Sequence, residues 1–362
     1  MKQRFFHHLH SKLTRFFSFV FLALLVLETC TGSSPLVPTS LCNDTSPASQ
    51  HLCQEKRALD QAIAQAQASG IPEIQLWPIY ASEVQVSQAS ADDYSSQARQ
   101  YQLLLLETQH LLFHQAQNSV HALLQQLQTE AESWGQAHAY RDHYDGQRYL
   151  LDGGYTVQGM SSILNSALAE AHTLKALQAL LSKEQDLLFH LHLLEADSSD
   201  GTPFNAVHTT DLLLLQRYHL QKGQILLVSL VEQAMRVYQD GRLVRAFLVT
   251  TGRPEHPSLP GIWPTLMRFS PTLFVAPFPE NSPNWFPPTP IHYAILYHPG
   301  GYFIHDAWWR ADYGPGTQFP HADASGNTLF SGNGSHGCIN LQEQAAAWLY
   351  RQTGWNTTIA IY

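Results

Sequence analysis

The chain has 362 residues, 44% of them hydrophobic, and a formal net charge of −9. That length accommodates two domains with packed cores. An acidic balance lacks the basic footprint that nucleic-acid binding requires, so DNA and RNA are excluded as main partners.

The first residues carry Lys2, Arg4, Lys12 and Arg15, followed by the apolar run Phe16 to Leu27, which ends at Glu28. This is the pattern of a secretory signal. Twelve helical residues reach about 18 Å, short of the roughly 30 Å hydrocarbon core, so residues 1–32 read as an export signal or a retained anchor. The membrane is a partner only through this segment, and Cys30 is the candidate for lipidation in Leu27-Glu28-Thr29-Cys30. An exported chain of this kind works outside the cytoplasm, secreted or membrane-anchored. Its cysteines are Cys30, Cys42, Cys53 and Cys338. Cys42 and Cys53 suit a local disulfide in an oxidising compartment, which leaves Cys338 unpaired.

Residues 33–54, rich in Ser, Thr and Pro as far as Gln50, read as a flexible linker. Residues 55–200 turn to Ala, Gln and Leu and read as a helical domain. A short helix is expected over Lys56 to Ser69. A long one runs from Ser95 to Trp134, with Tyr101, Leu105, Leu112, Val120, Leu127 and Trp134 along one face. A partner helix is expected from Ser161 to Leu194. Gly146, Gly153 and Gly154 break the pattern between them, which predicts an antiparallel, coiled-coil-like hairpin. His110, His114 and His121 fall at helical spacing and read as a solvated face, not as metal ligands. The domain is expected to act as a spacer or to bind a protein partner.

Residues 201–221 form a connecting segment with one helix, Asp211 to Leu220. From residue 222 the character changes to strand: 224–229, 234–239 and 243–250, with Asp240-Gly241 as a hairpin turn. The fold class is therefore α+β and multidomain, an all-α hairpin domain followed by a mainly β domain over 222–362.

The chemistry is concentrated near the C-terminus. Ser335-His336-Gly337-Cys338-Ile339-Asn340 gathers a thiol, an imidazole and a glycine. A thiolate attacks a carbonyl when a nearby group takes its proton and backbone N–H groups meet the oxyanion, roles open to Gly337 and Cys338. Gly301-Tyr302-Phe303-Ile304-His305-Asp306 reads as a strand that presents His305 at its end. Two other readings stand beside this one: Cys338 as a small buried hydrophobe, and zinc held by His336 and Cys338 with His305 or His321. No Cys-x-x-Cys or His-x-x-x-His spacing accompanies the block, so no metal or other cofactor is expected.

These two segments resemble the signature of the L,D-transpeptidases, bacterial cell-wall enzymes in which a strand-borne histidine precedes a Ser/Thr-His-Gly-Cys-x-Asn/Arg block. The resemblance implies Cys338 as nucleophile and His305 as base, oriented by the backbone carbonyl of Asp306, with His336 beside the thiol. Ile225-Leu226-Leu227-Val228-Ser229, Val249-Thr250-Thr251-Gly252 and Pro260-Gly261-Ile262-Trp263 are similar to the family's opening strands and turns, so the likeness covers about 222–362. His305 and Ser335 stand about twice as far apart as is usual in the family. An insertion rich in aromatic and turn residues, from Trp308-Trp309-Arg310 to Gly316, is expected to loop out as an ordered lid. His321 lies within it and remains a rival base.

The function implied is peptidoglycan L,D-transpeptidation by acyl transfer through a thioester, with stem peptides as partners. Ser335, Asn340, Tyr302 and Trp308 are candidate substrate contacts. If water reaches the thioester first, the same site is an L,D-carboxypeptidase or endopeptidase. A non-catalytic wall-binding scaffold is the alternative from another class.

Overall fold

The computed structural model describes residues 46–87, 93–282, 284–327 and 330–362. The export segment, Cys30 and Cys42 lie outside them. Among the described residues, no helix is long and apolar enough to cross a membrane. The chain divides into two compact units at Asn118 and Ser119.

The first unit is helical. α1 (Pro47–Ala68) starts inside the stretch expected to be a linker, because Ser46 caps it, accepting from the Ser49 N–H at 3.3 Å, and Pro47 sits where a helix needs no N–H. Cys53 on this helix is disulfide-bonded. α2 (Glu73–Ser87) follows, and then α3 (Tyr94–Ala137), 44 residues long. Leu59, Leu76, Ile79 and Tyr101 are buried here, and Lys56 bridges Asp60 and Glu83 at 2.6 Å each.

The second unit contains the end of α3, a short ladder of β1 (Tyr140–Arg141) with β2 (Arg148–Tyr149), and three helices before the main sheets. The single helix expected over 161–194 is two, α4 (Met160–Ala169) and α5 (Leu174–Asp197). Thr173 ends the continuity: its hydroxyl accepts from the Ala176 N–H at 3.1 Å and starts a new helix. Glu130 of α3 meets His192 of α5 at 3.0 Å. α6 (Thr209–Arg217) is the expected connecting helix.

Most of the described strands belong to two packed sheets. β3 (Gln224–Ser229), β4 (Ala234–Gln239), β5 (Arg242–Leu248), β6 (Gly261–Pro264) and β13 (Thr358–Ile361) form one, in the order β5-β4-β3-β13-β6. β7 (Met267–Phe269), β10 (Ala294–His298), β11 (Tyr302–Asp306) and β12 (Ile339–Leu341) form the other, in the order β12-β11-β10-β7. β8 (Thr272–Phe274) pairs with β9 (Thr289–Ile291). α7 (Glu343–Gln352) lies before β13.

The apolar run of β3 explains the layering. Alternate side chains point to opposite faces, and both faces are covered. Leu226 and Val228 join Met235, Val237, Ile304, Ile339 and Leu341 between the two sheets. Ile225 and Leu227 join Phe189 and Leu193 of α5 and Leu214 and Leu215 of α6 on the back. Behind the sheet sits a buried polar hub. Arg236 of β4 donates through Nε to Asp211 Oδ2 at 2.6 Å and through Nη2 to Asp211 Oδ1 at 3.0 Å and the Tyr362 hydroxyl at 2.7 Å. The Tyr238 hydroxyl also donates to Asp211, at 2.6 Å, and Glu232 takes a further Arg236 contact. Asp197 accepts from His208, Thr210 and Ser229. The helices are thereby keyed to the sheet by direction as well as by apolar area.

Candidate active site

β11 and β12 run parallel, with His305 the register partner of Asn340. The pairing sets the imidazole. His305 Nδ1 lies 2.8 Å from the Asp306 carbonyl and Nε2 lies 3.0 Å from Asn340 Nδ2. A carbonyl only accepts and an amide nitrogen only donates, so these partners assign the proton to Nδ1 and leave Nε2 with its lone pair. Burial lowers the pKa of His305, against the opposing pull of the Asp306 carbonyl and carboxylate, so the ring favours its neutral form.

Cys338 stands just before β12 and is the free cysteine among the described residues. Its thiol points to the Gly301 carbonyl at 3.8 Å, and burial pushes its pKa up to about 11, partly offset by a backbone hydrogen bond from Phe303. At rest, then, thiol and imidazole are both neutral and each is engaged elsewhere.

The turn before Cys338 is held from several sides. Ser335 Oγ donates to the Cys338 carbonyl at 2.5 Å and accepts from the Gly337 N–H at 3.0 Å. Ser258 Oγ donates to the Gly337 carbonyl at 2.8 Å. Gly337 has φ of 104°, and a Cβ there would come 2.5 Å from Tyr302 Cε1, so no other residue fits without movement. This corrects one expectation: the Gly337 N–H is spent inside the turn, and the Cys338 N–H is the remaining candidate oxyanion donor.

His305, Ser335, His336, Cys338 and Asn340 line one pocket of about 220 Å³. Two expected substrate contacts fall outside it. Tyr302 packs behind the turn against Gly337, and Trp308 is exposed, its Nε1 donating to the Pro290 carbonyl at 3.0 Å. The adjacent Trp309 lines the pocket instead, its ring centroid 6.1 Å from that of His305. Asp306 acts through its carbonyl, while its carboxylate accepts the His292 and Tyr293 N–H groups. The pKa of His336 is drawn down to about 4 by loss of solvent around its ring, then by the charges of Arg253 and His256.

Between β11 and the Cys338 turn, Trp309, Arg310, Phe330, Gly332, Asn333 and Gly334 line the pocket. Arg310 is its strut, donating to the carbonyls of Ser331 (3.2 Å), Phe330 (3.1 Å) and Asn333 (2.8 Å). His321 in this segment bonds to the Phe319 carbonyl at 2.8 Å and does not line the pocket. It lies within ligand reach of Asp312 and Asp323, and a second such group is Asp197, Asp200 and His208; neither includes Cys338. Phe319 is clamped between Tyr140 and Tyr149, with centroids 4.9 and 4.8 Å away. Arg253, Arg310, Phe274 and Phe286 also line the pocket, and nothing in their sequence spacing marked them.

Residues 223–361 match the model of the YkuD family, the L,D-transpeptidase catalytic domain, and this C-terminal domain belongs to that family. No curated protein matches the chain. Among solved structures, an L,D-transpeptidase from Mycobacterium smegmatis is 22% identical with a TM-score of 0.31, over 38% of this chain and 58% of that one. A mutant L,D-transpeptidase of Enterococcus faecium is 21% identical with a TM-score of 0.32, over 39% of this chain and 50% of that one. The chain thus spans 50–58% of the length of these two proteins.

Proposed function

We propose that the protein is an extracytoplasmic peptidoglycan L,D-transpeptidase with Cys338 as nucleophile and His305 as base. The observation that carries this reading is the shared pocket: the free thiol and an imidazole with its Nδ1 proton pinned line one cavity. The family match supports acyl transfer, and the basic, apolar N-terminal stretch supports export.

The donor is a stem peptide whose carbonyl joins an L-centre to a terminal D-residue. His305 Nε2 leaves the Asn340 amide and takes the thiol proton as Sγ adds to that carbonyl. The Cys338 N–H meets the oxyanion. The C–N bond then breaks, the departing amine takes the proton from Nε2, and a thioester remains on Cys338. An acceptor amine attacks the thioester, giving its proton to Nε2, and the thiol is restored as the cross-link forms. The neutral resting pair suits this order, because the proton moves from sulfur to Nε2 only as the carbonyl is attacked.

Intact-protein mass spectrometry with a carbapenem, a donor-carbonyl mimic, tests the nucleophile. Wild type should gain one adduct mass and Cys338→Ala none; no gain on wild type, or equal gains, would overturn the assignment. Product analysis with stem peptide then separates transfer, which gives cross-linked dimer, from hydrolysis, which gives trimmed monomer.

A further inference from the structure

The charge of the pocket is one-sided. Arg253 and Arg310 line it beside His305 and His336, and among the described residues no carboxylate does. The two guanidiniums differ in how they are occupied. Arg310 is spread over three backbone carbonyls and serves as a strut. The Arg253 side chain donates from Nη2 to Asn284 Oδ1 at 3.1 Å. The same oxygen accepts from His256 Nε2 at 2.7 Å, so Asn284 is held in place while it steadies the guanidinium. Arg253 Nε is shielded from water without a hydrogen bond among the described residues, and the carboxylate of the mostly exposed Glu255 is 3.6 Å away.

The backbone brings this cation to the nucleophile. The Arg253 N–H donates to the Ser335 carbonyl at 2.9 Å, and Gly252 bridges to Ser335. Arg253 is therefore pinned to the block that carries Cys338. A half-buried guanidinium with donor capacity to spare is a planar fork that matches a carboxylate.

We propose that Arg253 is the receptor for the free carboxylate of the acyl donor, the one on the residue that leaves. That group lies only a few bonds from the carbonyl that Cys338 attacks, so holding it would place the carbonyl at the sulfur and select terminal over internal bonds. The inference rests on the acyl-transfer reading above and names the determinant of its substrate class.

The test measures binding without turnover. Cys338→Ala protein is titrated by calorimetry with a tetrapeptide ending in an L-residue followed by D-Ala, as the free acid and as the C-terminal amide. The acid should bind about tenfold more tightly or better, in line with a charge-assisted pair. Adding Arg253→Gln should erase the difference, and Arg253→Lys should keep part of it. The gap should hold from about pH 5.5 to about 8.5, because the guanidinium keeps its charge throughout. Equal or undetectable binding of both peptides, a gap that survives Arg253→Gln, or a gap that collapses above about pH 7 and so belongs to a histidine would each overturn the proposal. A carbapenem adduct on wild type alongside such a result would leave Cys338 in its role and remove only Arg253 from this one.

Discussion

The two sides of the sheet that contains β3 handle charge in opposite ways. Behind the sheet, Arg236, Asp211, Asp197 and His208 are buried, and their partners come from helices and strands alike. At the pocket, the thiol and imidazole are neutral, and the lining Arg253 guanidinium is steadied by the neutral Asn284, with the mostly exposed Glu255 as its nearby carboxylate. The first arrangement fixes geometry, since a buried ion pair missing one member leaves an uncompensated charge. The second holds interaction capacity in reserve for something that arrives from outside.

Removing one member of the hub tests this contrast most severely. Asp211→Ala strands Arg236 and should cost about 3–5 kcal/mol in chemical denaturation, whereas Arg253→Gln should change stability by no more than about 0.5 kcal/mol. Equal losses would show that the pocket cation is structural too.

Glu184 departs from both patterns. It is fully buried on α5, neither carboxylate oxygen has a partner among the described residues, and burial raises its pKa to about 8. A carboxyl whose folded pKa lies above its unfolded value binds its proton more tightly when folded. Its contribution is therefore complete below the ordinary glutamate value of 4.5 and is lost as pH rises towards about 8. Denaturation midpoints should fall across that window, with a slope of at most about 1.4 kcal/mol per pH unit. Glu184→Gln should remove most of the slope, and an unchanged slope would assign it to other groups.

A weaker response is expected from the clamp on Phe319. Tyr149→Leu removes one stacked ring and should cost about 1 kcal/mol. Hydrogen exchange should speed up around Arg310 and Phe319 more than in β11. Uniform exchange across both would mean that the clamp does not support the pocket wall.

Much of the C-terminal domain was legible from its residues. The strand Tyr302–Asp306 follows from aromatic and β-branched content, and the first two strands fall at the expected 224–229 and 234–239. The helix break was hidden because apolar spacing continues across His172 and Thr173, while one side-chain cap reset the hydrogen bonding. The start of α1 lies inside a stretch whose Ser, Thr and Pro content reads as linker, while the Ser46 cap and Pro47 that begin the helix are themselves residues of that composition. The choice between Trp308 and Trp309 depends on which neighbour faces inward, which a loop leaves free of any period. Arg253 and Arg310 carry no motif. Only the fold reveals that one is spent on carbonyls and the other is not.

The back face of the five-stranded sheet bears on how the domain can be handled. Leu214, Phe189 and Leu193, which cover Ile225, Leu227 and Ala360, all come from residues ahead of the family boundary at 223. The segment recognisable by kinship is thus smaller than the segment able to close its own interior. Ribosomal synthesis makes the covering helices before the strands they shelter, so a nascent sheet finds its oily side already provided for. Any excision for study should begin well upstream, at or before Ser119, where the second unit starts.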